Sequence, residues 1–402
     1  MKKGFLSAYF EGVAVKRLSA VEADPVSSNQ HEFNGVTAMK NMFGAGRQSF
    51  RSRFFYLGED EDDTLTSECF LTWYDAREAN PNRSEYRLYF PSTSVTERAA
   101  AGDLMVIGKR PDGTLQVIIT TAGSTAENQM KWLFGVPQQI ETRFEVREFQ
   151  ESGDVEINFA ARFILDELGI ETEDADTDRL DSLVERFNGV FPSTAIFSAF
   201  ARDTLPGVDP SDDPDAALLA WMEQEEKLFR RLENQMVARR LEEGFQVQDK
   251  ADVDAFISYS LSVQNRRKSR AGYALEHHLD EIFRETALHY TRQAVTENNA
   301  KPDFLFPGAT EYHDAGFPDD RLFMLGVKTS CKDRWRQVLS EAKRIKQKHL
   351  FTLEPAISAN QTSEMQQNSL QLVLPAGFHT TYSSGQQKWL INLREFISLV
   401  RV

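Results

Sequence analysis

Val327-Lys328-Thr329-Ser330-Cys331-Lys332-Asp333-Arg334-Trp335-Arg336 is the stretch on which the reading of this chain turns. Pro302-Asp303 stands upstream, with Asp303 25 residues before Lys328, and Glu341 follows Lys328 by 13 residues. The surrounding pattern alternates. Residues 303–306 and 322–327 are short apolar runs and read as strands, 334–346 as a helix, and 349–353 as a strand again. Before them, 274–288 places Leu275, Leu279, Ile282 and Phe283 on one helical stripe. Such an order predicts an α/β layer.

An acid on one strand, a lysine on the next and an acid on the following helix are the parts of a metal-dependent phosphodiesterase. Mg²⁺ takes one or two carboxylates and keeps several waters, so Asp303 and Glu341 are the candidate metal ligands. The Lys328 ammonium can orient water or neutralise charge building at a phosphate. In the usual pattern, Pro-Asp followed by Asp/Glu-X-Lys, the second acid would stand at 326, which here is Gly326. Glu341 can replace it from the helix, although an ordinary surface glutamate is the alternative. Glu276, beside the stripe residue Leu275, can add a further carboxylate or simply form a salt bridge. The adjacent His277 and His278 point to different sides of a helix and read as structural.

Two basic clusters flank this set. Asn265-Arg266-Arg267-Lys268-Ser269-Arg270, read as lying just before the 274–288 helix, suits phosphate clamping or a surface turn. Lys332, Asp333, Arg334 and Arg336 mix charges. Cations read guanine edges and an acid accepts from cytosine amino groups, so this mixture favours G·C readout. The chain of 402 residues carries a net charge of −15, which taken whole argues against nucleic acid. Its distribution does not: residues 251–402 hold 19 Lys+Arg against 17 Asp+Glu. A local basic surface suffices for phosphate contact.

At this length two domains are expected. Residues 1–172 show short apolar runs separated by Gly, Pro, Asn and Asp, with Pro111-Asp112-Gly113 as a hairpin turn. They predict a mostly β, barrel-like or sandwich domain. An acidic stretch at 171–176 places a linker at 173–185, and 186–402 forms the second domain. A long helix is expected from about 216 to 243, ended by Gly244. No run of 18 apolar residues occurs and Cys69 and Cys331 are the two cysteines, so a cytoplasmic protein without membrane association is expected.

Residues 265–279, Lys301-Pro302-Asp303-Phe304-Leu305-Phe306-Pro307 and 327–336 closely resemble the C-terminal catalytic domain of EcoRII-type type II restriction endonucleases. The resemblance is specific over about 255–355 and weaker back to about 190. Val15-Lys16-Arg17-Leu18-Ser19-Ala20 resembles the start of that family's N-terminal effector domain, and the rest of 1–172 matches more loosely. The resemblance implies a restriction-endonuclease-like PD-(D/E)XK core with Glu276, Asp303, Lys328 and Glu341 as catalytic residues, the helix acid being relocated from 326. It implies that Lys332-Asp333-Arg334 reads the outer pairs of a CC/GG-containing site. It also implies an N-terminal DNA-binding module that restrains the nuclease; Ser28-Asn29-Gln30-His31-Glu32 and Ser84-Glu85-Tyr86-Arg87 only approximate its pattern. Lys16, Arg17, His31, Arg83 and Arg87 are the candidate contacts there.

The reading is a Mg²⁺-dependent restriction endonuclease acting on double-stranded DNA, with a cognate DNA methyltransferase as functional partner. Symmetric cutting of two strands calls for a homodimer. Two rivals stay open: a DNA-binding regulator with an inactive nuclease core, and a repair or junction-resolving nuclease.

Overall fold

A computed structural model of the chain describes residues 4–24, 31–58, 63–80, 82–149, 155, 157–172, 177–247, 250–331 and 334–401. The chain divides into two compact units, Met1–Glu173 with Pro355–Ser358, and Asp174–Glu354 with Ala359–Val402.

The first unit is built on eight strands: β1 (Gly12–Arg17), β2 (Glu32–Asn34), β3 (Gln48–Leu57), β4 (Thr64–Asp75), β5 (Tyr86–Tyr89), β6 (Leu104–Lys109), β7 (Leu115–Thr120) and β8 (Glu145–Glu148). They form one sheet in the order β2-β5-β4-β3-β7-β6-β1-β8. Neighbours are antiparallel except β3 and β7. The expected hairpin joins β6 to β7, where Arg110 N–H donates to Thr114 O at 2.9 Å and Gly113 takes φ +82°. Side chains alternate across the sheet. Val13, Val15, Phe55, Val106 and Ile118 join one core, which holds residues of α1 (Thr125–Phe134) and α2 (Phe159–Glu167). Ala14, Phe54, Tyr56, Ile107, Val117 and Trp73 join the other. Burial on both faces explains why the central strands read as unbroken apolar runs. Among the described residues β2 and β8 do not pair, so the sheet is an open half-barrel and not a closed barrel.

The second unit starts earlier than expected. The stretch read as a linker over 173–185 contains α3 (Thr177–Val184), whose Leu180 and Val184 are buried against Phe197, Phe200, Leu228 and Leu232. Its apolar residues fall on one helical face, which the acidic sequence around them concealed. Next come α4 (Thr194–Asp203), α5 (Pro214–Glu243) and α6 (Val253–Glu285). Asp213 caps α5 by accepting from Ala216 N–H at 3.1 Å, with Pro214 in the first turn, and Gly244 ends it at φ +73°. Asp252 caps α6 by accepting from Ala255 N–H at 3.0 Å. The helix therefore starts well before 274, and Asn265–Arg270 lies inside it, not ahead of it.

The helices precede a five-stranded sheet of β11 (Thr291–Arg292), β12 (Phe304–Phe306), β13 (Phe323–Lys328), β14 (Lys348–Thr352) and β15 (Leu370–Val373), in that spatial order. A minor two-stranded hairpin, β9 (Gln246–Val247) with β10 (Lys250–Ala251), links α5 to α6. β11–β13 are antiparallel, and β13–β15 are parallel. Leu275, Leu279, Ile282 and Phe283 are fully buried as expected, and Phe283 packs edge-on against Phe304 with ring centroids 5.1 Å apart. Between β13 and β14 the expected helix over 334–346 shrinks to α7 (Trp335–Val338). Ala342 adopts φ +46°, which no helix continues. The Lys348 ammonium donates to the carbonyls of Glu341 at 2.5 Å, Ala342 at 3.1 Å and Ile345 at 2.9 Å, holding the non-helical turn.

Candidate active site and nucleic-acid surface

Asp303 immediately precedes β12, and Lys328 ends β13. The ladder between those strands stops at Phe304 and Leu325. Beyond it, Val327 N–H donates to Asp303 Oδ2 at 2.6 Å. A backbone donor thus fixes the carboxylate, and the Lys328 Nζ stands 3.6 Å from the same oxygen. The pair expected from sequence is assembled.

Glu341 follows α7 in a bend, so its helical placement is corrected. It nevertheless reaches the same site. Burial, with the nearby Asp303 charge, pushes its carboxyl up to about 7, against the pull of Lys328 and Lys348. Its Oε2 is buried without a hydrogen-bond partner. Glu276, on α6, is likewise raised by burial and then by Asp303. Arg292 holds it, with one guanidinium nitrogen 3.3 Å from Glu276 Oε2 and the other 3.2 Å from Asp280 Oδ2. Asp303 is thus the shared neighbour of two acids that resist ionising.

This arrangement fits a hard divalent cation. Two carboxylates repel, one carries an orphaned buried oxygen, and a cation between them would relieve both costs. Among the described residues no three acidic, histidine or cysteine side chains form a ready cage.

A side chain at position 326 would crowd α7. A Cβ built there would lie 2.9 Å from Val338 Cγ2 and 3.1 Å from Cγ1. α7 approaches the strand only because position 326 lacks a side chain.

The basic residues divide differently from the expectation. Arg334 and Arg336 are exposed, and Arg336 pairs with Glu364 at 3.0 Å. Lys332 and Asp333 lie outside the described residues, as does the side chain of Lys268. Arg270 is no phosphate clamp: it is buried against the ring of Phe229 and pairs with Glu225 at 3.4 Å and with Glu226. Arg267 donates to Glu233, whose side chain is 1% exposed, at 2.6 Å. Arg266 lies over Phe191, 5.0 Å from the ring centroid. Helical continuity through 265–270 turns Arg267 and Arg270 toward α5. His278 is fully buried beside Glu225, 2.9 Å away, and His277 meets Thr194 Oγ1 at 3.1 Å, which matches their structural reading.

In the first unit Lys16 is buried and pairs with Glu22 at 2.6 Å, so it is not an available contact. Arg17 pairs with Glu127 at 2.6 Å, and Arg87 with Glu32 at 2.5 Å and Glu85 at 2.6 Å. Glu127 and Glu32 are remote from these arginines in sequence, whereas Glu22 and Glu85 lie within six residues of their partners. Arg83 is exposed, while His31 is partly buried and packs near Tyr89 and Phe90. Arg292, which pairs with Glu276, and Lys348, which donates to the Glu341 carbonyl, were missed because only the fold brings them there.

Residues 229–397 match a family described as EcoRII C terminal. Type II restriction enzyme EcoRII of Escherichia coli is 42% identical over 231 residues, 57% of this chain and 55% of that protein. The chain thus spans about half the length of the curated relative it matches. The family match falls in the C-terminal part of the chain, and both matches bear out the resemblance to EcoRII-type enzymes. Among solved structures, metal-depleted Ecl18kI in complex with uncleaved, modified DNA is similar at a TM-score of 0.45 and 18% identity, covering 57% of this chain and 84% of that one. A restriction endonuclease PspGI–substrate DNA complex is similar at 0.44 and 14%, covering 52% and 94%.

Proposed function

We propose that this chain is a type II restriction endonuclease, hydrolysing both strands of double-stranded DNA at a short CC/GG-containing site with Mg²⁺. The observation that carries this is the convergence of Asp303, Lys328, Glu276 and Glu341, with the Asp303 oxygen fixed by Val327 N–H at 2.6 Å. The similarity of residues 229–397 to the EcoRII C terminal family supports it.

Asp303 and Glu341 would hold the metal, which when bound supplies Lewis acidity and a water of lowered pKa. Lys328 sets its ammonium beside the scissile phosphate and offsets the negative charge that grows there. Burial and the Asp303 charge raise the Glu341 carboxyl in the metal-free site, so taking up the metal would release its proton. Glu276 stays restrained by Arg292 and keeps the wall of the site polar. A DNA-binding regulator would not need this full set of groups.

Two symmetric cuts call for two copies. On α6, Val253, Ile257 and Leu261 recur at four-residue spacing with Phe256 beside them, and all are about half exposed or more. This uncovered apolar face supports a homodimer. A DNA methyltransferase of matching specificity would protect the host, and the first unit would act as an effector domain. The deciding experiment incubates the full chain with plasmid and Mg²⁺ and sequences the fragment ends. Uniform ends with one shared sequence are expected; no cutting, or ends without a shared sequence, rejects the reading.

A further inference from the structure

One buried carboxylate near the site has no part in the chemistry above. Glu354 lies two residues beyond β14 and is 0% exposed. Burying an ionised carboxylate is costly unless hydrogen bonds compensate it. Its partners therefore indicate its task. Glu354 Oε2 accepts the backbone N–H of Cys331. Cys331 is also fully buried, and its carbonyl accepts the N–H of Arg334 at 2.7 Å and of Trp335 at 3.3 Å. Trp335 is buried in turn, whereas Arg334 is exposed. Arg334 is thus held at both ends by residues packed in the core, and its side chain is presented outward.

The carboxylate is itself braced. Glu354 N–H donates to Thr352 Oγ1 at 3.2 Å, and that hydroxyl donates to Thr329 O at 3.3 Å. Tyr382 OH donates to Glu354 O at 2.5 Å. The end of β14 therefore grips the chain at 329 and at 331, between Lys328 and Arg334. Burial and the Glu354 charge push the Cys331 thiol up, so it stays protonated and inert there.

We propose that Glu354 is a positioning residue for base reading: its carboxylate fixes Cys331 and, through the Cys331 carbonyl, the backbone of Arg334 beyond Lys328, making cutting depend on sequence. This rests on the nuclease reading above. Glu354 touches neither DNA nor the scissile bond.

The test uses the full chain with plasmid DNA and Mg²⁺, sequencing the fragment ends, and a random-sequence duplex titrated without metal. Wild type defines the site. E354A is expected to lose tenfold or more in cutting at that site and to scatter its ends, with random-duplex affinity unchanged. E354Q keeps an acceptor of the same length and is expected to retain the wild-type ends. E354D keeps the charge but withdraws it by one methylene, and is expected to scatter them. Should E354A fail to fold, E354Q and E354D decide alone. Wild-type ends from E354D together with scattered ends from E354Q would overturn the proposal, because charge and not reach would then be what matters. Wild-type ends from all variants, or equal loss of affinity for every duplex, would overturn it too. A wild type that cuts without sequence preference would overturn the underlying reading, and this proposal with it.

Discussion

Lys328 Nζ and Asp303 Oδ2 stand 3.6 Å apart although 25 residues separate them in the chain. The contact is indirect in origin: Val327 N–H, the residue beside Lys328, anchors that same oxygen at 2.6 Å. Asp303 can therefore be altered without releasing the β12–β13 ladder, which ends before it. D303A and K328A are each expected to lose at least about 10²-fold in cleavage rate, as for other transition-state charge groups, while still binding DNA. Single-turnover cleavage and duplex titration separate the two effects. Full cutting by either variant would remove these residues from the catalytic role.

Glu341 gives a pH prediction with a definite sign. Its carboxyl, raised to about 7, binds its proton more tightly folded than unfolded. Stability contributed by it is therefore lost as pH rises from the ordinary carboxylate range through about 7. Without metal, E341Q should melt higher than wild type at about pH 8, the gap closing at about pH 5. Mg²⁺ should raise the wild-type melting temperature at the higher pH and leave E341Q unmoved. Equal responses of the two proteins would show that Glu341 is no ligand.

Arg334 and Arg267 should part company. R334A is expected to weaken binding to the cognate duplex by about 1–3 kcal/mol, the worth of a bidentate base contact, and to leave scrambled duplex unchanged. R267A strands the buried Glu233 carboxylate and should cost on the order of 3 kcal/mol in stability. Denaturant melts together with titrations on both duplexes test each. A uniform affinity loss for R267A with no stability change would restore it as a phosphate contact.

The second unit should fold with α3 and suffer without it. A fragment starting at about 174 keeps Leu180, Val184 and the Arg231–Asp181 pair at 2.5 Å. One starting at 186 loses all three. The longer fragment is expected to melt cooperatively and cut plasmid; the shorter should melt lower by several degrees. Identical melting would mean that α3 contributes nothing to this core.

The apolar face of α6 should govern oligomeric state. I257D and L261D place charges on that face and are expected to shift the full chain toward monomer in sedimentation experiments, with double-strand cutting falling toward nicking. Unchanged dimers would place the interface elsewhere.

Much of the catalytic core was legible because its signals are local. Leu275, Leu279, Ile282 and Phe283 repeat at helical spacing, and β12–β14 are short apolar runs with clear ends. Asp303, Lys328, Glu341 and Glu276 could be picked out as candidates from residue type and spacing, but only the family resemblance made them one set. What escaped depended on partners remote in sequence. Nothing near Arg270 announces Glu225 and Glu226, more than forty residues away, and nothing near Arg17 announces Glu127. The α7 boundary was misjudged because Glu341 sits among good helix formers. Only Lys348, folded back onto three carbonyls, reveals that the chain turns there.

Gly326 and Val338 constrain how such a site can change over time. Returning the acid to 326 places its Cβ within 2.9 Å of a branched side chain that has little rotamer freedom. Trimming Val338 first opens a void beneath α7 while Glu341 still serves. Positions 326 and 338 are therefore coupled: a side chain added at one requires a smaller one at the other.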